Sequence, residues 1–194
     1  MKSESTAKYI LRLTVTLLAI CAAVALALAG VNAITRDKIA EVKAEKTRNA
    51  VAQVLGDTTH SPEEIPFTDA SGMVRRVYQA IFPAPGIDPG YEYAVEVSPN
   101  GFGGAISMMV GISAEGKVLG ISIISHAETP GLGAVAAAGT DKGVAFRDQF
   151  QGMISGITIG DGENQIDSLS GATISSQAIV DGVNAALECV ENMG

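Results

Sequence analysis

Two cysteines, two histidines and no tryptophan leave this sequence short of the side chains on which thiol and metal chemistry depend. Cys21 lies in a long apolar run and Cys189 near the far end of the chain, so a disulfide between them is not expected. Neither thiol stands at metal-ligand spacing from His60 or His126. No cysteine cluster offers an iron–sulfur site, and no G-x-G-x-x-G follows a strand-like segment to bind a dinucleotide. Any redox role therefore falls to a cofactor that needs neither thiolate nor imidazole. The 194 residues are expected to supply one anchor and one domain of roughly 150 residues, with no room for a second catalytic domain.

Charge is also missing from Leu13 to Thr35. That run exceeds the roughly 20 apolar residues needed to cross a hydrocarbon core, so residues 13–35 are read as a transmembrane helix in contact with lipid, after a short tail over 1–12. A cleaved leader is the competing reading, since Lys2, Lys8 and Arg12 make a basic start and Val31-Asn32-Ala33 resembles a small-residue cleavage site. The run is longer than the roughly 7 to 15 residues of such a leader. Three basic residues precede the helix and five follow it (Arg36, Lys38, Lys43, Lys46, Arg48), which taken alone argues against export. Those five open a long domain, and long domains translocate largely regardless of charge, so the carboxy-terminal domain is expected outside the cytoplasm. Beyond the anchor the chain carries a formal charge of about −10, which repels nucleic acid. It serves solubility or a basic partner instead.

From Asp37 to Leu55 apolar residues recur at spacings of three and four, the pattern of a helix, read as a stalk over 36–55. The folded domain is assigned to 56–194. Gly56 to Pro66 is a loop by composition, and Phe67 to Phe82 reads as a hairpin turning at Asp69-Ala70-Ser71-Gly72. Pro83 to Gly90 breaks structure again. Tyr91 to Ser98 alternates, predicting a strand with one face in a core and one in water. Gly103–Ser113 and Val118–Ser125 predict a central antiparallel hairpin, with Met108, Met109, Tyr91 and Tyr93 as packing residues. A glycine-rich loop at Pro130–Gly133, a helical stretch at Val144–Phe150, a strand at Ile154–Ile159 and a turn at Asp161–Asn164 follow. Ser175 to Asn192 predicts a closing amphipathic helix capped by Ser175 or Ser176, with Ile179, Val180, Val183, Ala186, Leu187 and Val190 on its apolar side. The fold class is α+β: an antiparallel sheet with flanking helices behind one amino-terminal membrane helix.

The run Asp167-Ser168-Leu169-Ser170-Gly171-Ala172-Thr173-Ile174-Ser175 stands between a predicted strand and the first turn of that last helix. A helix start offers free backbone N–H groups and the positive end of the dipole, which favour a phosphate. Gly171 and Ala172 leave space for a bulky group to approach the backbone. By residue chemistry alone this is an anion site or an ordinary loop and cap.

The same nine residues resemble the flavinylation signature Asp-x-x-Ser-Gly-Ala-Thr-x-Ser of FMN-binding domains in the G subunit of Rnf electron-transport complexes and in the C subunit of sodium-translocating NADH:quinone reductase. Asp167, Ser170, Gly171, Ala172, Thr173 and Ser175 match in register. The resemblance implies that a flavin transferase moves FMN from FAD onto Thr173 as a phosphoester. A second segment, His126-Ala127-Glu128-Thr129-Pro130-Gly131-Leu132-Gly133, is similar to the His-x-Glu-Thr-Pro-Gly-Leu-Gly segment of the same subunits. Pro130 and Gly131 suit a rigid turn that lets Glu128, Thr129 and Leu132 face an isoalloxazine ring.

The G subunit is the nearer relative, because the C subunits tend to carry additional segments. The implied role is an electron relay between neighbouring membrane subunits that together couple ferredoxin and NAD to ion translocation, and not a complete enzyme. Phe146 stands where relatives often have tryptophan, and Gly152-Met153 where a lysine often follows the glycine. Glu128 either hydrogen-bonds the flavin or stabilises its loop, and the sequence leaves both open. His126 is read as a structural donor, and Glu63 and Glu64 as a solvated pair. The remaining alternatives are a membrane-tethered module without redox function, in which Ser170 to Ser175 is only a helix cap, and a stand-alone enzyme using the domain as electron acceptor.

Overall fold

The computed structural model describes residues 3–56, 62–82 and 90–193. The chain divides at Glu45/Lys46 into two compact units. Helix α1 runs Ser3–Leu55 without a break. Its Lys8–Glu45 portion is solvent-exposed and studded with Leu, Ile and Val side chains. Among the described residues, α1 alone is long and apolar enough to cross a membrane. Residues 13–35 span about 35 Å at helical rise, enough for a hydrocarbon core of about 30 Å.

The second unit is built on a five-stranded antiparallel sheet in sequence order: β1 (Glu63–Ile65), β2 (Val74–Phe82), β3 (Gly90–Val97), β4 (Ser107–Ile112) and β5 (Val118–Ser125). A 3-10 turn (Gly133–Ala137), α2 (Asp141–Asp148), a two-residue parallel pair β6 (Thr158–Ile159) and β7 (Gln165–Ile166), and α3 (Thr173–Glu191) complete it. One face of the sheet buries Val77, Val95, Val97, Met108, Val110 and Ile112 against Ile179, Val180, Val183 and Leu187 of α3. The three-and-four spacing read in the closing helix therefore marks its packed side. Phe146 of α2 is buried edge-on against Phe150, ring centroids 5.7 Å apart, so phenylalanine fills this part of the core.

The second face departs from expectation. Alternation in Tyr91–Ser98 predicts a wet side, yet Ala94 and Glu96 are as buried as Val95 and Val97. The end of α1 covers Ala94: Ala50, Val51, Val54 and Leu55 pack on Ala80, Ala94 and Met109, while Glu96 accepts from Ser107 Oγ at 3.3 Å. Small residues at the crossing permit the approach, and a Cβ at Gly111 would stand 2.7 Å from the Val54 carbonyl oxygen. Gln53 Oε1 accepts a hydrogen bond from Ser122 Oγ at 2.7 Å across the same face. The last turns read as stalk thus pack as part of the folded unit, which begins at Lys46.

Other boundaries move for local reasons. The strand before the Asp69–Gly72 turn is Glu63–Ile65, pairing Glu63 with Gln79 and Ile65 with Val77, and not Phe67 onward. Pro66 lacks the N–H that a continued ladder needs. Asp69 shapes the turn itself, accepting from the Ser71 amide, the Ser71 hydroxyl and the Val74 amide at 2.7–3.0 Å. The expected strand at Ile154–Ile159 shrinks to Thr158–Ile159, and the apolar run from Gly103 pairs in the sheet only from Ser107. Of the loop expected over Gly56–Pro66, residues 57–61 lie outside the described residues and Glu63–Ile65 form β1; the break expected over Pro83–Gly90 lies outside them save for Gly90, which opens β3. Both cysteines are free thiols.

Candidate functional site

Two tight turns with the same construction approach each other beyond the edge of the core. In the first, the Leu132 amide donates to the Thr129 carbonyl at 3.1 Å, with Pro130 and Gly131 in the centre and Gly131 at φ 79°. A proline followed by a left-handed residue is what a type II turn requires. In the second, the Ala172 amide donates to the Leu169 carbonyl at 2.9 Å, with Ser170 and Gly171 in the centre and Gly171 at φ 73°. The turns meet where a Cβ on Gly171 would lie 3.1 Å from Leu132 Cδ2.

The second turn delivers the chain into α3, which starts at Thr173, two residues earlier than the serines suggest. Ala172 occupies the cap position and no side chain caps the helix. The serine hydroxyls are engaged elsewhere. Ser176 Oγ accepts from the Leu169 amide and donates to the Ala172 carbonyl, both at 3.0 Å. Ser175 Oγ donates to Glu128 Oε2 at 2.6 Å. The first turn of α3 therefore keeps its unpaired amides and positive dipole end for something else.

Beside that helix start lies a cavity of about 400 Å³. Thr129 and Leu132 of the first turn, and Glu128 just before it, line it together with Gly171 and Ala172 of the second turn and Thr173 and Ser175 of α3, so seven of the nine residues singled out from sequence share one site. Asp167 and Ser170 are not on its walls. Asp167 is held through its backbone, its amide donating to Gln149 Oε1 at 2.8 Å and its carbonyl accepting from Gln149 Nε2 at 3.4 Å. Asp167 sits in the approach to the second turn and Ser170 in its centre.

Sequence reasoning missed Phe102, Gly133 and Ile174, which complete the lining. Ile174 fills the free position of the Thr-x-Ser run. Phe102 stands in Gly101-Phe102-Gly103-Gly104, and an aromatic residue isolated among glycines was the available signal. Phe102, Ile174 and Leu132 are 72 %, 58 % and 43 % exposed, so the cavity is rimmed by apolar surface that the fold leaves open to solvent.

Glu128 is buried, and Oε1 accepts from the Gly103 amide at 2.9 Å while Oε2 takes the Ser175 hydroxyl. His126 is exposed, and its Nδ1 accepts from the Glu128 amide at 3.2 Å. That ring nitrogen accepts where a structural donor was expected. Among the described residues no group of three His, Cys, Asp or Glu side chains gathers to hold a metal.

An uncapped helix start for an anion, an exposed threonine hydroxyl at its first residue, and an apolar rim for a planar ring match the two ends of FMN. Comparison with known proteins points the same way. Residues 101–188 match the model of the FMN-binding domain family. The G subunit of the ion-translocating oxidoreductase complex of Methanosarcina acetivorans is 30% identical over 193 residues, covering 96% of this chain and 97% of that one. The chain belongs to the G-subunit family of Rnf-type ion-translocating oxidoreductase complexes. Within that family the G subunit of the proton-translocating ferredoxin:NAD(+) oxidoreductase complex of Clostridium ljungdahlii is 39% identical over 98 residues. That alignment spans about half of each chain, 50% of this one and 52% of the other. Among solved structures, the C subunit of the Na(+)-translocating NADH-quinone reductase of Parabacteroides distasonis superposes with a TM-score of 0.54 at 14% identity, over 79% of this chain and 92% of that one. That likeness establishes a shared fold. Family membership and the apolar amino-terminal helix together associate the protein with the membrane.

Proposed function

We propose that this protein carries one FMN joined through its phosphate to Thr173 Oγ, and that it relays electrons between neighbouring subunits of a ferredoxin:NAD+ oxidoreductase coupled to ion translocation. The observation that carries the reading is the placement of Thr173: an exposed hydroxyl on the first residue of an uncapped helix, on the wall of a cavity with an apolar rim. In attachment, Thr173 Oγ forms a bond to the flavin-side phosphorus of FAD, AMP departs, and the hydroxyl proton is lost, with a dedicated flavin transferase carrying out the exchange. The α3 amides and dipole offset the phosphate charge. Thr129, Leu132, Phe102 and Ile174 provide surface for the ring. Once bound, FMN supplies one- and two-electron redox chemistry that no side chain of this protein offers.

A phosphoester suits a domain outside the cytoplasm, where no pool of free FMN refills an empty site, and the export reading rests on that argument together with the long-domain exception to the charge rule. The domain has no dinucleotide fingerprint and no cysteine cluster, so donors and acceptors are assigned to other subunits.

The test is to co-express the full chain with a flavin transferase and examine the denatured protein in a gel. Fluorescence on the band that vanishes in Thr173→Val supports the covalent site, and an unlabelled wild-type band refutes it. For topology, a cysteine introduced between Gly56 and Pro62 should react with an impermeant thiol reagent in intact cells. Labelling only after lysis would overturn export.

A further inference from the structure

The two oxygens of Glu128 are engaged by two separate segments of the chain. Oε1 accepts from the amide of Gly103, in the loop that carries Phe102, and Oε2 accepts from Ser175 in the first turn of α3. The side chain belongs to neither segment; it reaches both from the turn that carries Leu132. The backbone is cleared around it. A Cβ at Gly101 or at Gly133 would stand within 2.5 Å of a Glu128 oxygen, and one at Gly103 would run into the Ala127 carbonyl. With 6 % of its surface exposed and each oxygen already on a protein donor, this carboxylate is placed to hold three segments together rather than to contact a ligand.

We propose that Glu128 is a positioning residue: a clamp that fixes the Phe102 loop and the Thr129–Leu132 turn against the start of α3, and so presets the cavity and the Thr173 hydroxyl before the flavin arrives. This rests on the covalent-FMN reading of the site and adds to it a residue that acts by geometry and not by charge or proton transfer. The Phe102 loop has no strand or helix of its own, and one isolated bridge, Asn100 to Ala105, closes it. Ser175 lies within the first turn of α3 and turns its hydroxyl to Glu128, while Ala172 in the cap position has no side-chain acceptor, which leaves the amides beside Thr173 open. Bonds to a buried charged acceptor are also lost at high cost when the acceptor is shortened, because the donor is stranded.

Position and charge are separable with two conservative variants of the full chain. Glu128→Gln keeps the length, leaves Oε1 to accept from Gly103, and offers its amide N–H to the Ser175 oxygen. Glu128→Asp keeps the charge and withdraws the carboxylate by one methylene. A clamp predicts that Gln attaches FMN at a rate within about threefold of wild type while Asp is slowed about tenfold or more, each lost buried bond being worth roughly a factor of ten. A role through charge or proton transfer predicts the reverse order, and finding Asp faster than Gln would overturn the proposal. An independent readout needs no flavin. Amide hydrogen exchange at Gly103 in the unloaded protein should quicken about tenfold in Asp and stay near wild type in Gln. Equal Gly103 exchange in wild type and Asp would refute the clamp even if attachment changed. Should wild type itself fail to take FMN, the covalent reading fails, while the exchange experiment still decides the clamp.

Discussion

The two turns at the site share a plan and differ in the element each one leads into. Thr129–Leu132 and Leu169–Ala172 each close with one backbone hydrogen bond and place a glycine at φ between 73° and 79° in the third position. The first runs into a single 3-10 turn, Gly133–Ala137, and the second into a 19-residue helix whose body is buried in the core. A short 3-10 segment has little aligned dipole, whereas a long helix concentrates positive potential at its first residues. The comparison teaches a division of labour. The first turn supplies Leu132 as wall with Glu128 just before it as support, and the second leads into the helix start that, in the proposed function, presents the Thr173 hydroxyl with electrostatics suited to a phosphate. Burial of Ile179, Val183 and Leu187 secures α3 well enough for its start to go uncapped.

The largest expected effect separates chemistry from stability at the second turn. Thr173→Val should lose all covalent flavin while leaving the stability of the unloaded protein within about 0.5 kcal/mol of wild type, as for other exposed sites; denaturant unfolding beside in-gel fluorescence checks both. Next come matched substitutions at the two glycines. Gly171→Ala and Gly131→Ala should each cost about 1–2 kcal/mol through the left-handed backbone. Gly171→Ala also forces Leu132 aside, whereas the space around Gly131 is open. Attachment should therefore fall about tenfold to a hundredfold in Gly171→Ala, as expected when a reacting group is displaced, and much less in Gly131→Ala. Equal attachment rates would break the asymmetry between the turns.

The comparison also shows how much can be read from sequence. The body of α3 was legible because its apolar spacing is local, and the run from Asp167 to Ser175 stands out because its residues are contiguous. The start of α3 was not. Ser175 and Ser176 look like caps, and only the fold reveals that one hydroxyl is drawn to Glu128, 47 positions away, and the other to the Leu169 amide. The covered second face of β3 was hidden for the same reason, since Ala50 to Leu55 reach it from a distant part of the sequence. Phe102 escaped notice because its loop merges into the apolar run that becomes β4.

Two smaller effects sharpen the contrast. Ala172→Ser gives α3 the cap it lacks, and should stabilise the unloaded protein by about 0.5–1 kcal/mol in denaturant unfolding while slowing attachment, because the hydroxyl competes for the same amides. A third turn, at Asp69–Val74, serves as a control away from Thr173. Partial burial works against the Asp69 carboxylate, but bonds from the Ser71 hydroxyl and from the Ser71, Val74 and Gly72 amides outweigh it and hold its pKa below the usual aspartate value. A lowered folded value means that the stabilisation is present above the unfolded pKa and fades as pH falls through the folded one. The stability gap between wild type and Asp69→Asn should accordingly be constant near neutrality and close below about pH 4, with attachment unchanged, as pH-dependent unfolding can show.

The central claim is an ester between one threonine and a flavin phosphate, and mass analysis of the protein purified from its native membrane tests it most directly. The account predicts that the peptide containing Thr173 is heavier by FMN less one water, with fragmentation placing the addition on Thr173. A peptide found only at its unmodified mass, or with the flavin on a different residue, would contradict it.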